Sequence, residues 1–204
     1  MRPKNSKFDI AVGSDVIDSA RRGDLAAHEA IFRSFSGPVF NLALRICNHR
    51  ESAEDVLQNT FIKVLGGIRS YQADAPFGIW LRQVAVNETL MHVRGMKRLP
   101  DFIDIGALES LDNSTDGARS EIAGEDSIHH DQVDLMLTRT LAQLPARTRA
   151  ALWLKEIEGY SHKEIATMMG KSESYSKSLV ARAIKRLRAC RTVQRHEKLR
   201  RENA

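Results

Sequence analysis

Apolar positions recur at helical spacing through most of the chain. Between Val16 and Gly95 they repeat every three or four residues, as at Val56, Leu57, Phe61 and Val64, which is the period of a helix with one buried face. Runs of β-branched residues in strict alternation are missing. The pattern predicts several packed helices and no sheet.

Helix boundaries are indicated by glycine, proline and aspartate. Glycine ends helices, proline starts them, and aspartate caps their first turn. Four segments are therefore expected to be breaks or caps: Gly23-Asp24, Ser36-Gly37-Pro38, Gly66-Gly67 and Asp74-Ala75-Pro76.

The helical period is lost between residues 101 and 130, where Asp112–Gly117 has a composition that favours solvation. It returns from Asp131 onward. The predicted fold is all-α, with two small helical domains at residues 1–100 and 131–204. A flexible acidic linker, residues 101–130, joins them.

A pair of short helices is predicted in the second domain. Ser161 and Glu164 match a capping box, and Gly170 is typical of a helix end. Ser172 would cap the next helix, and Ala166 is small where the two axes would cross. This is the pattern of a helix-turn-helix, whose second helix enters a DNA major groove. A helical hairpin with a solvated basic face is the alternative.

Charge is unevenly distributed behind the net value of +5. Residues 1–100 carry 14 Lys/Arg and 10 Asp/Glu, residues 101–134 carry 1 and 10, and residues 135–204 carry 16 and 6. A basic C-terminal module indicates a polyanionic partner. Basic residues up to Arg201 either extend the phosphate footprint or form a frayed tail.

Contacts with DNA can be assigned by side-chain chemistry. Small polar and amphipathic side chains near the start of the second helix suit base edges, and later basic ones suit phosphates. The candidates are Ser174, Tyr175, Lys177 and Ser178 for bases, and Arg182 and Lys185, with Lys171 in the same basic set, for the backbone.

Other classes of function are disfavoured. The sequence has no Gly-rich phosphate loop, metal-ligand cluster or nucleophile elbow, so neither an enzyme nor a cofactor is expected. The pair His129-His130 is interpreted as incidental, and Cys47 and Cys190 as reduced structural thiols. Because no run approaches the ~18 apolar residues of a membrane span, we expect a cytoplasmic protein that does not insert into membranes.

With these features in place, the whole chain resembles bacterial RNA polymerase sigma factors of the extracytoplasmic-function type. That family has two helical domains and a connector. The segments that carry the resemblance are Ala53–Phe61, Tyr71–Asn87, Leu144-Pro145, Gly159–Ser161, Glu164–Ala166, Gly170–Ser172, Lys177-Ser178 and Arg182-Ala183.

The resemblance implies that the first domain binds core RNA polymerase through one helix. The implied contacts are Asp55, Gln58, Asn59 and Phe61. The residue pattern leaves two points open. Phe61 shares a face with Leu57, which favours a place in the core, and the polar residues could equally form an ordinary solvated face.

The resemblance also implies capture of unstacked bases of the minus-ten promoter element. An aromatic ring offers a stacking surface, an amide recognises base edges and arginine neutralises the backbone. The implied residues are Tyr71, Gln72, Ala73, Asp74, Ala75, Arg82 and Asn87, with further backbone contacts from Arg94, Lys97 and Arg98. Trp80 is expected in the core.

The helix-turn-helix would by resemblance recognise the minus-thirty-five element. Ser176 and Leu179 stand where the family often has valine and arginine, so the sequence recognised stays open. The acidic linker would either enter polymerase channels or serve as a passive tether.

The expected partners are core RNA polymerase, promoter DNA and, by resemblance alone, an anti-sigma factor. One alternative is a helix-turn-helix regulator that binds duplex operator without polymerase. A protein-binding adaptor is another, and the basic C-terminus argues against it. Dependence of DNA recognition on polymerase separates the first two.

Overall fold

The computed structural model describes residues 7–95 and 140–202 of the chain, and for residues 190–202 only the backbone. The predicted linker, His129-His130, Lys97 and Arg98 lie outside this part. Within it every regular element is helical, which confirms the all-α prediction for these ranges. The elements are α1 Ser14–Arg21, α2 Leu25–Cys47, α3 Arg50–Gly67, a 3-10 turn Ile68–Ser70, α4 Phe77–Gly95, α5 Ala146–Glu156, α6 His162–Met169 and α7 Glu173–Glu202.

Helix α2 is the centre of the first domain. It packs on α1, α3 and α4 and buries Ile31, Phe35, Val39 and Ile46 at no more than 1% exposure. These residues follow the helical period, so their burial is the outcome that the sequence predicts. At the start of the helix Asp24 accepts a hydrogen bond from the Ala26 backbone N–H at 2.9 Å, a regular N-cap.

The predicted break at Ser36-Gly37-Pro38 is wrong, because α2 runs through it without interruption. A proline inside a helix removes one backbone hydrogen bond and costs about 3 kcal/mol. Phe35 and Val39, on either side of the break, are both fully buried. Their burial in one continuous core outweighs that local penalty.

The other three boundaries are confirmed. Gly23 takes the left-handed conformation (φ 87°) before α2, and α3 ends at Gly67. Pro76 precedes α4 and accepts a hydrogen bond from the Ile79 backbone at 2.9 Å. Glycine, proline and aspartate therefore predicted these three helix boundaries correctly, because no buried helix face runs across them.

Near the start of α4 the backbone of the N-terminal segment lies against Gly78. A Cβ at Gly78 would stand 1.9 Å from the carbonyl oxygen of Phe8, so no larger residue fits without movement. The Phe8 ring stacks on Phe35 at 6.5 Å. Phe8, which precedes α1, is thereby part of the first domain's core.

The second domain is built from α5, α6 and α7. Helix α7 packs on both α5 and α6, and Leu154, Ile165 and Ala183 meet at zero exposure. None of the helices in the described part of the chain is both long and apolar enough to cross a membrane.

Candidate nucleic-acid interface

The turn between α6 and α7 forms as its residues predict. The Ser161 hydroxyl accepts from the Glu164 backbone N–H at 3.2 Å, and the Glu164 carboxylate accepts from the Ser161 backbone N–H at 2.8 Å. Gly170 closes α6 in the left-handed conformation (φ 62°), and Ser172 accepts from the Tyr175 N–H at 3.2 Å. Two caps and a glycine therefore hold the angle between the two helices.

Exposed side chains at the start of α7 form a basic, polar surface. Ser174, Lys177, Arg182 and Lys185 are exposed, whereas Tyr175 and Ser178 are half-buried. Arg182 donates to the Ser178 hydroxyl at 2.5 Å. These residues lie on one side of the helix, so they can meet a nucleic-acid groove together.

Two further contacts hold this surface in place. The Lys171 ammonium lies 5.7 Å from the centre of the Tyr175 ring, a cation–π contact. Lys177 pairs with Glu173 at 2.8 Å, and its hydrogen bond to that carboxylate holds the pKa of Glu173 below the usual value. An approaching phosphate would compete with Glu173 for Lys177.

Ser176 and Leu179, the two positions at which the sequence differs from the pattern that it resembles, lie on the inner side of α7. Ser176 is fully buried and Leu179 is 4% exposed, and the Ser176 hydroxyl lies 3.1 Å from His162 Nδ1. The Ser176 hydroxyl therefore contributes to the packing of α7 on α6, and neither side chain belongs to the exposed surface of α7.

The loop between the 3-10 turn and α4 is closed by Tyr71. Its hydroxyl donates to the Ala75 carbonyl at 2.6 Å, and its ring contacts Phe77 and Trp80 at 5.3 and 5.4 Å. Arg21 donates to its carbonyl oxygen. The ring is only 7% exposed, because it fills the core beneath the loop. It is therefore not the open stacking surface that the sequence led us to expect.

The tip of this loop is open to solvent. Gln72, Ala73 and Asp74 are exposed and Ala75 is half-buried, and Ala73 has a positive φ of 60°, an uncommon conformation for a residue with a Cβ. A cleft of about 500 Å³ lies beside the tip. Its lining includes Asp9, Ile10, Arg21, Tyr71, Ala73 and Pro76.

On α4 the two other candidates differ in accessibility. Asn87 is exposed and accepts from the Gln83 amide at 3.4 Å. Arg82 is 2% exposed and pairs with Glu158 of the second domain at 3.3 Å. Arg82 was expected to neutralise the DNA backbone, and in the structure its guanidinium is paired with Glu158 instead.

On α3 the polar candidates form an exposed surface. Asp55, Gln58 and Asn59 all face solvent. Phe61 is 5% exposed and packs on Phe32 with ring centres 4.8 Å apart, which confirms its place in the core.

Two exposed apolar residues beside these candidates were not anticipated. Ile62 is 69% exposed and Phe32 is 44% exposed. Ile62 directly follows the buried Phe61, so it lies out of phase with the apolar period, and that phase was the available signal. A large apolar side chain next to exposed polar ones is a common composition for a protein-binding surface.

The described residues contain no cluster of three or more potential metal ligands. Cys47 is a free thiol, as predicted, and it is buried. Burial raises the pKa of its thiol to about 11. The thiol is therefore protonated near neutral pH and a poor nucleophile. The side chain of Cys190 lies outside the described part.

Two family models match this chain, one in each domain. Residues 31–99 match the family model for Sigma-70 region 2, and residues 134–187 match that for Sigma-70, region 4. The chain is 29% identical over 155 residues to the RNA polymerase sigma-H factor of Pseudomonas aeruginosa, covering 76% of this chain and 80% of that protein. It is 28% identical to the ECF RNA polymerase sigma-E factor of Escherichia coli K12, with 76% and 81% covered.

A solved structure is also similar. The chain aligns with one from the structure of CnrH in complex with the cytosolic domain of CnrY, at a TM-score of 0.48 and 20% identity. The alignment covers 88% of this chain and 96% of that one.

Proposed function

The chain belongs to the sigma-70 family of RNA polymerase sigma factors, in the extracytoplasmic-function group, and from that membership we propose how its two domains divide the tasks of promoter-specific transcription initiation. The first domain binds core polymerase and the minus-ten element, and the second binds the minus-thirty-five element. The observation that carries this division is the exposed basic surface at the start of α7, at the second helix of a fully capped helix-turn-helix.

Binding of the minus-thirty-five element would use the groove-facing side of α7. Ser174 and Lys177, with Tyr175 and Ser178 beside them, are placed for base edges, since they lie in the first turns of the helix. Lys171, Arg182 and Lys185 are placed for phosphates. Because Lys177 already pairs with Glu173, DNA binding would exchange one anion for another.

Binding of the minus-ten element would use the exposed loop tip and Asn87. The cleft beside Ala73 has room for an unstacked base, and capture of such a base offsets the few kcal/mol that unstacking costs. Tyr71 would act by holding the loop through its bond to Ala75. Members of this family are initiation factors, and we propose that this chain has no catalytic site or cofactor of its own.

Run-off transcription with core RNA polymerase on a promoter library tests this assignment. Specific transcripts are expected only when the protein is added, and fewer with Asn87→Ala, which removes an exposed amide. Met91→Ala is the matched control, since Met91 is exposed one turn further along α4. Tight binding to duplex DNA, with neither core binding nor transcripts, would favour a regulator that acts without polymerase.

Core polymerase would contact the exposed surface of Asp55, Gln58 and Asn59. The neighbouring Ile62 could add apolar area to that contact. Asp55→Ala is expected to weaken binding to immobilised core polymerase. Asp15→Ala removes the same charge from an exposed position on α1 and should bind as the parent chain does. Equal loss in both variants would exclude this surface.

An anti-sigma factor is a further proposed partner, supported by the family alone. Such a protein should abolish the run-off transcripts when added in equal amount. Since its template and polymerase are there, we expect the chain to act in the cytoplasm.

A further inference from the structure

A polar contact links the two helices of the helix-turn-helix. The hydroxyl of Ser176, in the first turn of α7, lies 3.1 Å from Nδ1 of His162, the first residue of α6. Ser176 is fully buried and His162 is half-buried. A hydroxyl has one donor and two acceptor sites, so it can bond Nδ1 in either tautomer of the ring. The two helices therefore share a hydrogen bond whichever ring nitrogen carries the proton.

Apart from Ser176, every buried side chain in α6 and in residues 173–183 of α7 is apolar. These side chains are Ile165, Ala166, Leu179, Val180 and Ala183. Apolar contact stabilises the pair of helices without a preferred direction, whereas a hydrogen bond requires a narrow range of distance and angle. The bond between α6 and Ser176 is therefore a directional constraint on the rotation of α7 about its own axis.

The side-chain contacts on the outer surface of α7 supply no such constraint. Lys177 pairs with Glu173, and Arg182 donates to Ser178. Both contacts lie within α7, so they turn with the helix. The bond from α6 to Ser176 joins two helices and resists that rotation.

Rotation of α7 changes where its exposed side chains point. Ser176 lies next to Lys177 and two residues after Ser174, both of which are exposed. A displacement of about 1 Å at the Cα radius of about 2.3 Å becomes more than about 2 Å at the outer radius of about 5–6 Å. Because hydrogen bonds to base edges require about 2.7 to 3.2 Å between heavy atoms, a shift of that size breaks them. Long lysine and arginine side chains can adjust and keep their contacts with phosphates.

We propose that His162 and Ser176 are positioning residues for promoter recognition: their hydrogen bond sets the rotation of α7, and with it the base edges that its first turns reach. Neither residue needs to touch DNA for this role. The proposal rests on the proposed binding of the minus-thirty-five element by α7. It adds a determinant of sequence preference that lies beneath the exposed surface.

Loss of the bond should change sequence preference more than affinity. Phosphate contacts supply most of the affinity for duplex DNA, and base contacts supply the discrimination between sequences. In non-specific binding to duplex DNA, Ser176→Ala should therefore match the parent chain within about twofold, with the same slope of log affinity against log salt. A general loss of folded protein would lower this binding as well.

The deciding experiment selects templates with the full chain bound to core RNA polymerase. The promoter identified by the run-off assay is randomised over its minus-thirty-five element, and the bound templates are sequenced. The parent chain should prefer one base pair at least about fivefold at each contacted position. Ser176→Ala should reduce that preference to less than about twofold. His162→Ala should do the same, and the double variant should be no worse, since both changes remove one bond.

Two control variants separate positioning from stability. Ser161→Ala removes the cap of α6 and leaves the contact with Ser176, so it should keep the parent's preference. His162→Asn retains a hydrogen-bonding group on Cγ, where the ring carries Nδ1, and should restore most of the preference that His162→Ala loses.

Three results would overturn the proposal. One is a pool for Ser176→Ala as narrow as that of the parent chain, and another is an equally broad pool for Ser161→Ala. The third is a pool for His162→Asn as broad as that for His162→Ala. The selection is repeated without core polymerase. Equal enrichment by the parent chain alone would reject the proposed function, while comparison of the pools would still decide the positioning role.

Discussion

The two domains present their candidate DNA contacts in opposite ways. In the second domain Lys177, Arg182 and Lys185 point to solvent from a helix held by its own caps. In the first domain Tyr71 and Arg82 are buried, one beneath its loop and the other against the second domain. Substitutions should therefore separate stability from binding on α7, whereas in the first domain the two should change together.

The largest effect is expected at Tyr71. Tyr71→Ala removes a ring packed on Phe77 and Trp80 and should lower the free energy of unfolding by about 3 kcal/mol. Tyr71→Phe keeps the packing, loses the bond to Ala75 and should cost about 1 kcal/mol. Urea denaturation followed by circular dichroism measures both. A cost below 1 kcal/mol for the alanine variant would mean that the ring is not a core residue.

The second-largest loss of stability is expected for Gly78→Ala. The new Cβ would meet the Phe8 carbonyl, a backbone atom that moves only with the N-terminal segment, so overpacking of about 2 kcal/mol is expected. Gly95→Ala is the control, because nothing lies within 4 Å of a Cβ at that position. Thermal unfolding compares the two, and equal melting temperatures would argue against the close approach of Phe8.

Removal of a cap should have a smaller effect on the second domain. Ser161→Ala loses the acceptor for the Glu164 N–H and should cost about 1 kcal/mol. Ser161→Asp keeps an acceptor and should recover most of that loss. If alanine and aspartate variants unfold at the same urea concentration, the capping box contributes nothing measurable.

The smallest effect on stability is expected on α7. Lys177→Ala and Arg182→Ala alter exposed side chains and should change the free energy of unfolding by no more than about 0.5 kcal/mol. Non-specific binding to duplex DNA at low salt should nevertheless weaken, and the slope of log affinity against log salt should fall by about 1 for Arg182→Ala. Filter binding over a salt series measures this slope. An unchanged slope would remove Arg182 from the phosphate contacts.

The same contrast explains what the sequence could predict. Capping boxes, Gly170 and the apolar period act over a few neighbouring residues, so the helices and the turn between α6 and α7 were predictable. The continuation of α2 through Pro38 was not, because burial of Phe35 and Val39 depends on helices far along the chain. Burial of Arg82 could not be predicted for the same reason, since its partner Glu158 lies 76 residues away in sequence.

The central claim is that both domains bind one promoter only in the presence of core polymerase. Hydroxyl-radical footprinting, on a promoter identified by the run-off assay, tests it most directly. With core polymerase, two protected regions roughly 25 base pairs apart are expected, or about 85 Å along the duplex. Without core polymerase neither should appear at the same protein concentration. One compact protected site that forms without polymerase would contradict the account.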